Sequence, residues 1–167
     1  PASSVDPQVP TIGFDVRLRS AYIPNVQLAL SLYQLDIDSE LVFSGDAGTT
    51  DVPNRASRRR GVELAAYWSP LENTVIDADF AYARSRFTDA DPSGDRIPGS
   101  VEGVAALGLT YESPQGYDAA LRVRYFGPRP LIEDDSVRSG STTVVNSHAG
   151  YRFFPQLKVA LDILNLL

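Results

Sequence analysis

Strand-like segments of roughly ten to fourteen residues alternate along this chain with connections that run short, long, short, long. The short connections are Ile23-Pro24-Asn25, Ser69-Pro70-Leu71-Glu72-Asn73, Ser113-Pro114-Gln115-Gly116 and Phe154-Pro155-Gln156. The long ones are polar and run from Ser44 to Ser57, Thr88 to Ser100 and Gly127 to Gly140. Tight turns at one end and large loops at the other are the signature of a transmembrane β-barrel, turns on the periplasmic side and loops outside. The rhythm therefore predicts an all-β, antiparallel up-and-down barrel of about eight strands, with no helix of any length.

The segments carry the side-chain period that such a wall needs. Between Thr11 and Tyr22, Ile12, Phe14, Val16 and Leu18 point one way, and Gly13, Asp15, Arg17 and Arg19 the other. The same alternation places Val62, Leu64, Ala66 and Trp68 opposite Glu63, Ala65 and Tyr67, and Ile76, Ala78, Phe80 and Tyr82 opposite Asp77 and Asp79. Further on, Ala105, Leu107, Leu109 and Tyr111 form the oily side of Gly103–Glu112. Ala119, Leu121, Val123 and Tyr125 oppose Arg122 and Arg124; Val145, Ala149, Tyr151 and Phe153 oppose Asn146, His148 and Arg152; Val159, Leu161 and Ile163 oppose Lys158 and Asp162. From Val26 to Phe43 the apolar set changes phase near Tyr33, so a bulge, or a strand projecting beyond the membrane, is expected there.

Composition closes off other classes. No apolar run reaches the eighteen or so residues of a membrane helix, yet alternating strands escape that test because their two faces average out. The chain has no cysteine, so a disulfide framework and a thiolate metal site are excluded. Its net charge of -6 speaks against nucleic acid as a partner. The start, Pro1 to Val5, lacks the basic and apolar stretches of a signal peptide. Aromatics collect beside the short turns, at Tyr22, Tyr67, Trp68, Tyr111, Tyr117, Phe153 and Phe154, and read as a girdle at the membrane interface.

Read in order, several phrases resemble the C-terminal half of the barrel in TonB-dependent outer-membrane receptors. They are Ser57-Arg-Arg-Arg-Gly-Val-Glu-Leu64 with Tyr67-Trp-Ser-Pro70, Ala81-Tyr-Ala-Arg-Ser-Arg-Phe87, Arg96-Ile-Pro-Gly99 and Leu121-Arg-Val-Arg-Tyr-Phe-Gly127. Thr143-Val-Val-Asn146 with Gly150-Tyr-Arg152, and Leu161-Asp-Ile-Leu-Asn-Leu-Leu167, complete the series. The resemblance implies that residues 1–167 are about eight consecutive strands of a 22-stranded barrel, with the plug, its TonB-binding box and the final strand lying outside this chain. Pro1 to Pro10 would then be the end of an extracellular loop. It also implies a transport receptor and not an enzyme, in the outer membrane of a Gram-negative bacterium. Such a receptor takes up a scarce, bulky nutrient such as a ferric siderophore or cobalamin. Its partners would be outer-membrane lipid and lipopolysaccharide, a small metal chelate as substrate, and the TonB system through the plug. No cofactor is implied.

The residues themselves leave two rivals open. One is a complete eight-stranded barrel serving as adhesin or structural protein. The other is a soluble calyx like the lipocalins, with its oily faces turned inward.

Candidate chemical groups are few, and no catalytic, cofactor, metal or substrate-binding residue is assigned. His148 is the single histidine and lies on a wet strand face, where a structural use is expected. Glu133-Asp134-Asp135 and Asp89-Ala-Asp91 have the oxygens for a hard cation, but no EF-hand spacing, and read as solvated loop acids. Arg58-Arg59-Arg60 would meet lipopolysaccharide phosphates if it sits on the outer rim, or serve as a lumenal rim cluster if it points inward. Arg84, Arg86, Arg122 and Arg124 are expected to pair with Asp77 and Asp79 inside the lumen.

Overall fold

A computed structural model describes residues 9–39, 42–44, 49–51 and 55–167. Its strands are β1 (Thr11–Ser20), β2 (Val26–Ile37), β3 (Val42–Ser44), β4 (Thr49–Asp51), β5 (Ser57–Leu71), β6 (Thr74–Phe87), β7 (Gly103–Glu112), β8 (Tyr117–Phe126), β9 (Thr142–Phe154) and β10 (Leu157–Ile163). Eight of them form one sheet in the order β1-β2-β5-β6-β7-β8-β9-β10, each antiparallel to its neighbour. The sheet is open, with β1 and β10 at its edges, as befits part of a larger wall. The predicted all-β meander of eight strands is the observed one. β3 and β4 make a small hairpin of their own inside the first long connection. Residues 1–8, 40–41, 45–48 and 52–54 are outside the described residues, and with them most of the predicted N-terminal loop end, part of the Val26–Phe43 segment and part of the Ser44–Ser57 loop.

Period-two alternation becomes a two-faced sheet because the registers bring like residues together. Leu18 pairs with Leu30, Leu30 with Leu64 and Leu64 with Phe80. Phe80 continues to Ala105, and Ala105 to Tyr125. One face is therefore an unbroken apolar band across all eight strands, while Asp77, Arg122, His148 and Asp162 lie on the other. The sheet has almost no core. Among the described residues the buried apolar side chains are Phe87, Ile97 and Pro130, all at the long-loop end, whereas Ile12, Leu107 and Leu161 are more than half exposed. An apolar face this broad needs a lipid or protein environment.

Proline accounts for one of the two places where the sheet's ladder slips, the other lying between Leu157 and Lys158. Pairing of β5 with β6 shifts between Trp68 and Leu71, across Ser69-Pro70, because proline supplies no N–H for the next ladder bond. The phase change in β2 has a different origin from a bulge. β2 stays in continuous register with β1 and β5 from Leu28 to Ile37, so the strand does not skip a residue. Its two faces exchange polarity instead: beyond Leu32 the apolar face carries Gln34 and Asp36, while Tyr33, Leu35 and Ile37 occupy the polar one. Val42 and Phe43 belong to the separate hairpin.

The polar face shows a recurrent packing motif, a large side chain laid over a glycine on the neighbouring strand. Tyr33 faces Gly61, Asp77 faces Gly108, Asp118 faces Gly150 and Leu35 faces Gly13. A Cβ built on Gly61 would stand 2.4 Å from the Tyr33 ring, and one on Gly108 within 2.3 Å of the Asp77 carboxylate.

Of the predicted girdle, Trp68, Tyr111, Tyr117 and Phe153 lie on the apolar face beside the short turns. Tyr117 and Tyr151 rings stack at 4.5 Å, and Phe153 meets Tyr151 edge-on at 4.6 Å. Tyr67 lies on the face the alternation gave it and so leaves the girdle. It pairs with Asp77 and Gln27, which puts it on the polar face.

Candidate functional site

The long-loop end is where side-chain chemistry concentrates. Residues 88–102 and 127–141 fold onto each other above β5, β6 and β7, held by Arg55, which is only 9% exposed. Its Nε donates to Asp89 Oδ2 at 2.7 Å and its Nη2 to Asp89 Oδ1 at 2.6 Å, a two-pronged pairing that fits the planar guanidinium. Nη1 donates to Glu133 Oε2 at 2.8 Å, and Nη2 also to the Gly94 carbonyl at 2.7 Å. The Phe87 ring lies 3.9 Å beneath Cζ. One cation thus ties both loops to the top of β6.

Gly94 makes that closeness possible. Its φ of +118° lies where side chains are strained, and a Cβ there would sit 2.2 Å from the Glu133 carbonyl oxygen. Main-chain bonds stitch the same seam: the Arg96 N–H donates to Glu133 O at 3.0 Å and the Gly99 N–H to Pro130 O at 2.8 Å. Ser93 Oγ donates to Glu133 Oε2 at 2.6 Å.

A second node lies beside the first. Glu102 accepts from Arg96 and Arg138 at 2.6 Å each, with Arg86 at 3.6 Å. Asp135 meets Arg96 at 2.8 Å and Arg138 at 2.5 Å, while Arg86 reaches Asp95 at 3.3 Å. These contacts move the loop ionisations. The hydrogen bond from Arg55 holds the Asp89 carboxyl below the usual carboxylate range, and the same bond raises the guanidinium. Ser93 lowers Asp91, the Ser136 N–H lowers Asp134, and Glu102 raises Arg138.

The predicted site residues fall into place on this frame. The loop acids split three ways: Asp89 and Glu133 grip Arg55, Asp135 grips Arg96 and Arg138, and Asp91 and Asp134 cap turns through Ser93 and Ser136. No group of three or more His, Cys, Asp or Glu among the described residues is placed to hold a metal ion. The Arg58-Arg59-Arg60 run divides by parity, Arg58 and Arg60 on the apolar-band face and Arg59 on the other. Arg122 pairs with Asp77 at 3.0 Å, as expected. Arg84 and Arg86 do not join it, because they share parity with Tyr82 and emerge on the opposite face; Arg86 turns to Asp95 and Glu102 instead. His148 is clamped, with Nδ1 2.7 Å from Asp162 and Nε2 2.7 Å from Asp118, which also takes Lys158 at 2.9 Å.

Sequence reasoning missed Arg55, Gly94, Glu102 and Arg138. They sit in or beside loops without periodicity, and their partners are as much as 78 residues away. On the polar face, a trough of about 390 Å³ runs over the small side chains of Ala29, Ser31, Ala65, Ala81 and Ala106, edged by Arg17, Arg19, Glu63 and Asp79.

An antiparallel meander with one lipid-compatible face, one charged face and ordered loops at a single end defines the wall of an outer-membrane-type β-barrel. Comparison with known proteins is specific. The family model described as "TonB dependent receptor-like, beta-barrel" matches residues 11–166, and the chain belongs to that family. This is a family of transport receptors found in Gram-negative outer membranes. Among solved structures, the copper transporter OprC is similar over 93% of this chain and 25% of its own, with TM-score 0.74 and 26% identity. The ferric yersiniabactin uptake receptor FyuA from Yersinia pestis matches over 93% and 24%, with TM-score 0.76 and 20% identity. The ferric-catecholate import receptor Fiu from E. coli K12 matches over 94% and 23%, with TM-score 0.70 and 17% identity. The chain spans about a quarter of the length of the structures it matches.

Proposed function

We propose that residues 1–167 form part of the barrel domain of an outer-membrane receptor for TonB-energised uptake of a scarce, bulky nutrient such as a ferric siderophore or cobalamin. Plug and final strand lie elsewhere in such a receptor. The apolar band faces lipid, the Arg17–Asp79 trough and the His148 clamp line the lumen, and the long loops stand outside. The observation that carries this reading is the asymmetry of the two ends: four tight turns at one, and at the other a loop block braced through Arg55. A rigid rim presents binding groups without first ordering them, which lowers the entropic cost of capture. The names of the similar structures, receptors and transporters for ferric chelates and copper, support a metal-bearing substrate.

The test is uptake of radiolabelled ferric chelates and cobalamin by iron-starved cells lacking the receptor, then restored with it. Restored uptake that collapses when the proton-motive force is discharged is expected. Equal uptake with and without the receptor across the panel would refute the reading.

A further inference from the structure

We propose that Arg58, Arg60 and Arg84 form a binding site on the outer wall of the barrel for the phosphate groups of an outer-leaflet lipid. This rests on the membrane placement proposed above. The three arginines project from the same face as the apolar band, on adjacent strands, and all are exposed. Arg60 pairs directly with Arg84 across β5 and β6. Like charges in that position repel, so the pairing costs stability unless an anion sits between them.

The surroundings compensate that charge only in part, Asp36 attracting Arg60 through space while it pairs with Arg58. Arg60 Nε donates to the neutral Gln34 carbonyl at 2.8 Å, and Arg84 has no hydrogen-bond or ion-pair partner among the described residues. Asp36, the one carboxylate on this face of β2, is taken by Arg58 and by Gln34 Nε2. Arg86 is committed to Asp95 and Glu102. Gly103, which pairs with Tyr82 just below Arg84, has nothing within 4 Å of where a Cβ would stand. A phosphate can thus approach Arg60 and Arg84 from the side.

Height selects a lipid as the source. A barrel strand rises ~3.4 Å per residue and tilts by ~40°, so it climbs ~2.6 Å per residue along the membrane normal. Trp68 marks the turn-side edge of the band on β5. Arg60 then stands ~21 Å above it and Arg58 ~26 Å, against an apolar band ~25 Å tall. Val62, Tyr82 and Leu32 lie one step lower for acyl chains, while the guanidinium groups reach headgroup level, where charge-assisted hydrogen bonds to phosphate are strong.

The experiment uses the full-length receptor in mixed micelles and radiolabelled bisphosphorylated lipid A as the probe. Replacing Arg58, Arg60 and Arg84 together by Gln is expected to weaken equilibrium binding about tenfold or more. Removing the phosphates from lipid A should weaken the wild type similarly, whereas R60K/R84K should retain most of the affinity and millimolar inorganic phosphate should not displace the lipid. Full binding by the triple variant, equal binding of dephosphorylated lipid A, or displacement by inorganic phosphate would each overturn the proposal. Should the triple variant fail to fold, R84Q alone, at an exposed and unpaired position, should still lose about threefold, and unchanged binding there would overturn it. Labelling of Ser136→Cys by an impermeant maleimide on intact cells separates the two readings. Without labelling, the membrane placement itself falls, and with labelling but unchanged lipid binding only this site does.

Discussion

In the block made by residues 88–102 and 127–141, side chains hold the structure, and in the strand wall beneath it the backbone does. The block encloses a 9%-exposed arginine, the Phe87 ring, Ile97 and the fully buried Pro130 within a lattice of ion pairs. The wall buries almost nothing. Its strands are joined by antiparallel ladders that slip only beside two short turns, its ion pairs such as Asp15–Arg17 are largely open, and its apolar face looks outward. Block stability is thus intrinsic to this chain, while in the placement proposed above wall stability is lent by the bilayer.

Perturbations that touch only one region test this division. The largest effect is expected from a charge in the middle of the band. Leu107→Arg, in barrels refolded into bilayers and titrated with urea, should lose ~2–4 kcal/mol while leaving the loops equally resistant to protease. Arg55→Ala should do the reverse. With Asp89 and the Gly94 carbonyl losing Arg55 as donor and Glu133 keeping only Ser93, proteolysis within residues 88–102 should accelerate about tenfold or more, with urea unfolding of the strands little changed.

Next comes a pair of glycines. Gly61→Ala must displace the Tyr33 ring and should cost ~1–3 kcal/mol, whereas Gly103→Ala meets open space and should be near neutral in the same titration. Acid should loosen the block before the wall. Asp89, Asp91 and Asp134 have folded-state pKa values held below the ordinary one, so their stabilisation is present above the ordinary carboxylate pKa and is lost as pH falls through the lowered values. The arginine facing Asp89, Arg55, stays charged throughout, while Asp91 and Asp134 face Ser93 and Ser136. Hydrogen-exchange protection at the Gly94 and Arg96 amides should therefore drop, once the pH is taken below the ordinary carboxylate pKa, ahead of the β5–β6 ladder. A small change belongs to Arg122→Gln, whose partly exposed pair with Asp77 should be worth less than ~1 kcal/mol by urea titration.

How far the sequence was legible follows the same line. Period two located every strand of the sheet, because a wall between lipid and lumen must alternate. Parity alone was enough to place Arg84 with Tyr82, and the expectation that Arg84 and Arg86 join Asp77 grouped arginines by proximity in the chain and neglected it. For Tyr67 the alternation was right, and only its nearness to a turn suggested a place in the girdle. Other contacts needed register, which alternation does not supply. That Asp118 and Asp162 both reach His148 depends on β8 and β10 being aligned to the residue against β9. The Arg55 lattice was invisible, since loop partners 34 and 78 residues apart leave no local trace.

The glycine pockets on the polar face bear on how such a wall assembles. A slip of one residue turns every oily side chain the wrong way, and any amphipathic environment rejects it. A slip of two keeps both faces intact and escapes that check. Sliding β5 by two positions against β2, however, sets the Tyr33 ring opposite Arg59 or Glu63 instead of Gly61, and sliding β9 against β8 sets Asp118 opposite His148 or Arg152 instead of Gly150. The glycines act as vernier marks, proofreading by shape the one alignment error that hydrophobicity cannot detect.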